Sequence, residues 1–417
     1  MRIRASLPKI LVVRQSRSKG ETDLAKLGDN VIGASGLPAF FKVANADEVK
    51  IDTPENRKGD ALRTWVRSLS GFQKEALVRS AKTGDTWRLV SDEGPYLNGH
   101  DAAPCPLAFL SAGMAASFMN EMLALAESRS TEIRKLRLVQ NNYYTMKGSM
   151  PKRTMEGGAE NVELEVEIDC DLDDGALSEF LIDATCASPV NGLMRGRLES
   201  LFKLGRNGRP LPTAKAAELD APLLPDPGGD RFAASAPAAS DPALMEPVGA
   251  TPKKDVAKGT ASGGSSLSDE QDRRLNIGAV AVLREDGIKE IQQMQYSPYG
   301  TSFRFLSSED GRAPDAGTLV SAGIGFCFMT QFGRFVSMLH LDLPDYRIAQ
   351  DTHFSLGGAS GGTGKAGEAD PIETHVYLET GESDETAKEM LDISEQTCFL
   401  HALCRTDLKT KLKVVRI

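Results

Sequence analysis

The chain has little of what would take it out of the ordinary globular class. Six cysteines in 417 residues, with no dense spacing, exclude a secreted disulfide framework. Positive charge is in deficit: 49 Lys and Arg against 58 Asp and Glu leave a net charge of −9 and a pI near 5.3. A duplex-binding surface built on a basic field is therefore excluded, and no nucleic-acid partner is expected. No apolar run reaches roughly 18 residues uninterrupted, so no membrane span is expected. The five histidines, His100, His340, His353, His375 and His401, show no metal-ligand spacing with cysteine or carboxylate. Neither metal nor cofactor is expected. The opening stretch, MRIRASLPKILVVRQ, has basic residues but no sustained apolar core and no clear cleavage site, so a cytoplasmic location is expected.

What is present centres on Thr318 to Leu339, TLVSAGIGFCFMTQFGRFVSML. It is apolar nearly all round, too rich for an amphipathic surface helix. Gln331 and Arg334 interrupt it. Each mid-helix glycine costs about 1 kcal/mol against alanine, so Gly323, Gly325 and Gly333 predict close approach of other backbone. The stretch reads as a buried central helix carrying one thiol, Cys327.

The chain contains this helix twice. Ser111 to Phe118 reads SAGMAASF and Ser321 to Phe328 reads SAGIGFCF. LRLVQNNYYTMKG follows the first and YRIAQDTHFSLGG the second; VELEVEID then answers ETHVYLET, and DATCASPVNGL answers SEQTCFLHALC. The offset is 210 at the helix (321 − 111) and 212 at the later cysteines (398 − 186). Four matches in order predict a duplication. TWRLVSDEG and TSFRFLSSEDG form a further parallel pair of strands ahead of each helix, and Arg284-Glu285-Asp286-Gly287 marks a hairpin before the second. Each repeat reads as hairpin, strand, long buried helix, antiparallel strands, final helix and closing strand.

These residues resemble the OsmC/Ohr superfamily, the osmotically induced and organic-hydroperoxide-resistance proteins. The family pattern is an SAGxxxCF-like central helix with a reactive cysteine, and a second cysteine opening a later helix. The second repeat has both, as Cys327 and Cys398. In the first, Ser117 stands at the first position and Cys186 is the remaining cysteine. Because the family works as intertwined homodimers, the resemblance implies an α+β fold of two OsmC-like repeats forming an intramolecular pseudo-dimer. The expected domains are 1–204, the first repeat with an N-terminal extension; 205–270, a linker; and 271–417, the second repeat. Residues 1 to about 50 read as mixed strand and loop. Glu55 to Ala81 shows apolar residues at helical spacing and is read as an inserted amphipathic helix or helix pair, packing on the first half or acting as a substrate lid. Gly205 to about Ser268 holds nine of the 21 prolines, too broken to build a core, and either wraps a surface or is disordered.

The resemblance implies that a thiolate at Cys327 attacks a peroxide and that Cys398 resolves the sulfenic acid as a disulfide. A free thiol titrates near 8.5, so a cation must favour the thiolate. The peroxidase branch has an arginine in an R-D-G turn, which points to Arg284. Two departures stand against that branch: Gly317 replaces a glutamate ten residues before the cysteine, with Asp315 the nearest acid, and Phe399 replaces a proline after the second cysteine. His401, one turn beyond Cys398, is a candidate base. Cys105, Cys170 and Cys404 read as structural. The loop Gly357 to Gly367 departs from a phosphate-loop pattern at Ala359 and Ala366 and reads as a hairpin loop. Three functions remain open: a peroxidase-like thiol enzyme on a small apolar peroxide or electrophile, with a dithiol reductant as partner; a cysteine-nucleophile hydrolase or lyase on a small organic catabolite; and a non-catalytic small-molecule binder. Self-association beyond the internal pair is also open.

Overall fold

The computed structural model describes residues 28–238, 243–249, 267–294 and 300–417. The N-terminal stretch assessed for a leader, and 239–242 and 250–266 in the linker, lie outside the described residues. In chain order the elements are α1 (Val31–Ala34), β1 (Phe40–Lys42), α2 (Ala46–Val49), β2 (Gly59–Ser68), β3 (Lys74–Ser80), β4 (Thr86–Ser91) and α3 (Pro106–Ser128). Then come β5 (Ile133–Ser149), β6 (Glu156–Ala159), β7 (Val162–Cys170), α4 (Asp174–Ala187), β8 (Leu201–Arg206), β9 (Arg209–Leu211), α5 (Gly228–Ala233) and β10 (Met245–Gly249). The second half follows as β11 (Glu270–Leu283), β12 (Lys289–Met294), β13 (Ser302–Ser307), α6 (Ala316–Leu339), β14 (Asp345–Ser355), β15 (Glu373–Glu379), α7 (Asp384–Thr397), α8 (Phe399–Arg405) and β16 (Thr410–Arg416). This is a mixed α+β fold with antiparallel-rich sheets; in each half three strands lead into a long helix, which is followed by antiparallel strands, helix and a last strand, with β6 present in the first half alone among the described residues.

The strands interleave. One sheet runs β1-β4-β3-β2-β14-β15-β8-β9, the other β10-β13-β12-β11-β5-β7-β16, with β6 on β5. The first-half hairpin is therefore joined to second-half strands: β2 pairs antiparallel with β14 from Gly59↔Ser355 to Arg67↔Arg347. Reciprocally, β11 pairs with β5 from Glu270↔Ser149 to Val282↔Arg137. The closing strands also cross over, β8 lying parallel to β15 and β16 parallel to β7.

Between the sheets lie α3 and α6, packed on each other. Both have the length and apolar content of a membrane-crossing helix, and both are enclosed by protein. They meet where side chains are smallest. A Cβ on Gly113 would stand 2.8 Å from the Ala316 carbonyl oxygen, and one on Gly323 3.0 Å from the Leu110 nitrogen. Of the three glycines expected to admit backbone, only Gly323 does so. Gly325 faces Val66 and Gly333 faces Phe72, both side chains of the first half.

One expectation is corrected. Residues 55–81 are not a helical insertion; they form β2 and β3, which occupy the same place in the first half as β11 and β12 in the second. The misleading helical period comes from a strand buried on both faces. Leu62 and Val66 face the helices, while Trp65 and Leu77 join a second cluster outside with Phe41, Phe232 and Tyr377, so alternation disappears. For the 205–270 linker the described residues follow the surface-wrapping alternative. The stretch around α5 lies on the outer face of the first sheet, with Phe232 against that cluster, Arg231 4.9 Å over Trp65, and Asp226 2.7 Å from Arg347, while β9 extends the edge of that sheet beside β8 and β10 joins the edge of the other beside β13.

Because α6 is roofed by β2 and β3, residues 270–417 expressed alone would expose an apolar helix. They are expected to self-associate or fail to fold. A stable monomer by sedimentation would contradict this dependence.

Candidate active site

Cys327 sits mid-way along α6, whose first turn is capped by the Asp315 carboxylate accepting from Thr318 N at 2.7 Å. Cys398 lies at the joint between α7 and α8, with φ −74° and ψ 118° breaking the helix. The fold brings the two sulfurs to 3.5 Å, both buried. All six cysteines are free thiols. Burial pushes the Cys327 thiol well up, and Cys398 and Glu93 add to that, while the Leu400 backbone N–H acts the other way. At rest Cys327 is therefore a protonated thiol.

Beside it is an apolar cavity of about 30 Å³, lined by Leu97, Pro106, Leu107, Leu275 and Phe399, with Glu93, Arg273 and Arg334 as its charged walls. That space holds a water or two, so an organic substrate enters only if side chains give way. Tyr96 is the half-buried member of the wall, and Leu107, Leu275 and Arg273 are slightly exposed.

Arg284 is not in this cavity. It sits half-exposed in the β11–β12 turn and pairs with Asp286 at 3.0 Å. The reason is the interleaving: β11–β12 roofs α3, whereas α6 is roofed by β2–β3. The cations near enough to interact with a charge on Cys327 are Lys74, at the start of β3, and Arg334, two turns along α6. Burial and the repulsion of Arg273 lower Arg334 to about 9. For the same reason Asp315 and Gly317 line the cavity at Ser117, and the acid at Cys327 is Glu93, after β4.

His401 does not face the thiols as a base would. Its ring lies 4.8 Å from that of Phe328 and 5.4 Å from that of Phe202. Neither ring nitrogen has a hydrogen-bond partner among the described residues. Burial lowers it to about 4.

The first half holds a matching pair that is not the one expected. Ser117 Oγ lies 2.8 Å from Ser188 Oγ, and both this pair and Cys327–Cys398 are 71 residues apart. Ser188, rather than Cys186, thus stands opposite Ser117; the two-residue discrepancy in the repeat offset was the available signal. The adjoining cavity is polar, with Asp60, Lys82, Glu121, Glu309 and Asp315 on its walls. The Gly357 to Gly367 loop closes it, Ala359 N and Ser360 N donating to Glu121 at 2.8 and 3.1 Å. No group of three or more metal-ligating side chains gathers among the described residues.

The two thiols are thus in contact inside the α+β core. Residues 309–413, which contain both cysteines, match the family model for OsmC-like protein, and this part of the chain is an OsmC-like domain. Among solved structures the chain is similar to an OsmC-like hydroperoxide resistance protein from Jannaschia sp. CCS1, at 22% identity over 30% of this chain and 74% of that one, with a TM-score of 0.19. No curated protein matches the chain.

His401 yields a stability prediction. Its folded value of about 4 lies below the unfolded value of about 6.5, so the unfolded chain binds the extra proton. Stability is full above that unfolded value and falls as the pH drops toward the folded one, by on the order of 3 kcal/mol at most. His401→Phe should flatten this loss in urea titrations at neutral and acid pH. An unchanged acid sensitivity would show that His401 is not its source.

Proposed function

We propose that the chain is a duplicated OsmC-like unit acting as its own pseudo-dimer, and that its second-half site reduces a small apolar peroxide with Cys327 as nucleophile and Cys398 as resolving thiol. The observation that carries this is the 3.5 Å approach of the two sulfurs beside an apolar cavity. Cys327 sulfur attacks the outer peroxide oxygen; the O–O bond breaks, an alcohol leaves, and Cys327 becomes a sulfenic acid. Cys398 then attacks that sulfur, water leaves, and the disulfide forms. A dithiol reductant returns both thiols through exchange. Since Cys398 is already in contact and lies at a helix joint, resolution needs only local movement.

The hydrolase or lyase reading draws no support from His401, whose ring is enclosed by Phe202 and Phe328. A serine hydroxyl stays protonated unless a base takes its proton, so the Ser117–Ser188 pair is chemically silent in this scheme. Its half completes the interface and the roof over Cys327.

Reduced protein treated with cumene hydroperoxide should lose the mass of two hydrogens, with the new bond mapping to Cys327–Cys398. Cys327→Ser should lower turnover at least ~100-fold, about 2.7 kcal/mol of barrier. Ser117→Ala and Cys186→Ser should stay within a few-fold of the parent. If Cys327→Ser keeps its activity while either of the others loses it, the site belongs to the other half.

A further inference from the structure

The reaction just proposed has a proton problem. The Cys327 thiol must lose a proton and the departing alkoxide must gain one, inside a cavity that water barely enters. Among the described residues, a single carboxyl group lines that cavity, and it comes from the other half of the chain: Glu93. It is only 3% exposed. Its Oε1 accepts from the Thr330 hydroxyl at 2.8 Å, and Thr330 lies three residues from Cys327 on the same helix. Its Oε2 accepts from the Tyr96 hydroxyl. Lys74 Nζ is 4.0 Å from Oε1. The backbone beneath is clamped: Asp101 N donates to the Glu93 carbonyl at 3.1 Å, and Gly99 packs so close that a Cβ there would stand 1.7 Å from the same oxygen.

We propose that Glu93 is the proton carrier of the Cys327 site, an inference that rests on the peroxide reading above. As a carboxylic acid it gives its proton to the alkoxide oxygen as the O–O bond breaks. The carboxylate so formed is refilled by the proton that Cys327 sheds as the S–O bond forms. The sum is thiol plus hydroperoxide to sulfenic acid plus alcohol, with sulfur oxidised by two electrons, the peroxide reduced by two, and no proton drawn from solvent.

The charged and titratable neighbours leave this role to Glu93. Facing it are Lys74, Asp92, Tyr96 and Cys105 from its own half, and Arg273, Cys327 and Arg334 from the second. Burial moves Tyr96 and Cys105 further from neutrality, upward, so neither exchanges a proton readily at pH 7. Burial raises Glu93 toward neutrality from below, against the pull of Lys74 and the two hydroxyls. A group that is acid in one step and base in the next works best near the operating pH.

The test separates proton transfer from mere repulsion. Glu93→Gln keeps the shape and one of the two acceptor oxygens but cannot pass a proton. A carboxylate near Cys327 holds its thiol up, so iodoacetamide alkylation of Cys327 should be unchanged or faster in Glu93→Gln. Single-turnover consumption of cumene hydroperoxide at pH 7 should instead fall at least tenfold. Thr330→Val removes one hydrogen bond from the carboxylate without removing the group. The high-pH limb of its peroxide profile should move upward while alkylation stays near the parent rate. This second arm stands if Glu93→Gln fails to fold by circular dichroism. Alkylation and peroxide rates falling together would assign Glu93 a structural role, and both rising would make it only a repelling charge; either result overturns the proposal. If the parent protein consumes no peroxide at all, the peroxide reading itself fails, and Glu93's role with it.

Discussion

Everything in this molecule depends on two apolar helices that their own halves do not cover. α3 and α6 are buried almost all round, so each needs a sheet on one side and the other helix on the other. The chain meets this by exchange. The hairpin β2–β3 is laid over α6 and β11–β12 over α3, while β14 and β5 extend the same sheets. Backbone pairing between β2 and β14, and between β11 and β5, locks the exchange, because separating the halves would strip two long ladders of their hydrogen bonds. Glycine at 113 and 323 lets the helices come close enough for both sheets to be reached at once.

The site follows from that exchange. Cys327 and Cys398 belong to one half, but Glu93, Leu107 and Lys74 come from the other. The same enclosure that builds the cavity also opposes the chemistry, since a buried sulfur resists becoming a thiolate. Against it acts the Leu400 N–H, and Lys74 and Arg334 favour the thiolate to the extent that they stay charged, since burial lowers both of them as well.

The two cavities differ in character as well as in the paired side chains beside them, two thiols in one and two hydroxyls in the other. Around Cys327 the walls are mostly apolar with two guanidinium groups; around Ser117 they carry four carboxylates and one lysine. Burial, with Glu309 and Asp60 close by, lifts Asp315 to about 7, so this second cavity holds negative charge at some cost. The Gly-rich loop over it is occupied by the chain's own Glu121, which explains why a loop with the look of an anion cradle serves here as a clasp.

The element order, the central helix with Cys327 and the strands after it could be read directly, because hydrophobic period and turn residues are local properties. The second-half cysteines were singled out differently, by the internal repeat and the family resemblance. The 55–81 stretch could not, since a strand covered on both faces by distant residues, Phe232 and Tyr377 among them, loses its period of two. The wrong partner for Ser117 came from aligning by residue type, which favours Cys186, when the spacing of 71 fits Ser188. Arg284 was sought near Cys327 because the resemblance implies an arginine in an R-D-G turn, and Asp315 was named as the acid nearest the family's glutamate position. Tertiary structure placed them elsewhere, since helix α6 faces the hairpin of the opposite half. Local sequence determined the elements and the thiols; only the exchange of strands decided which charges stand beside them, because pairing across the halves is a property of neither half alone.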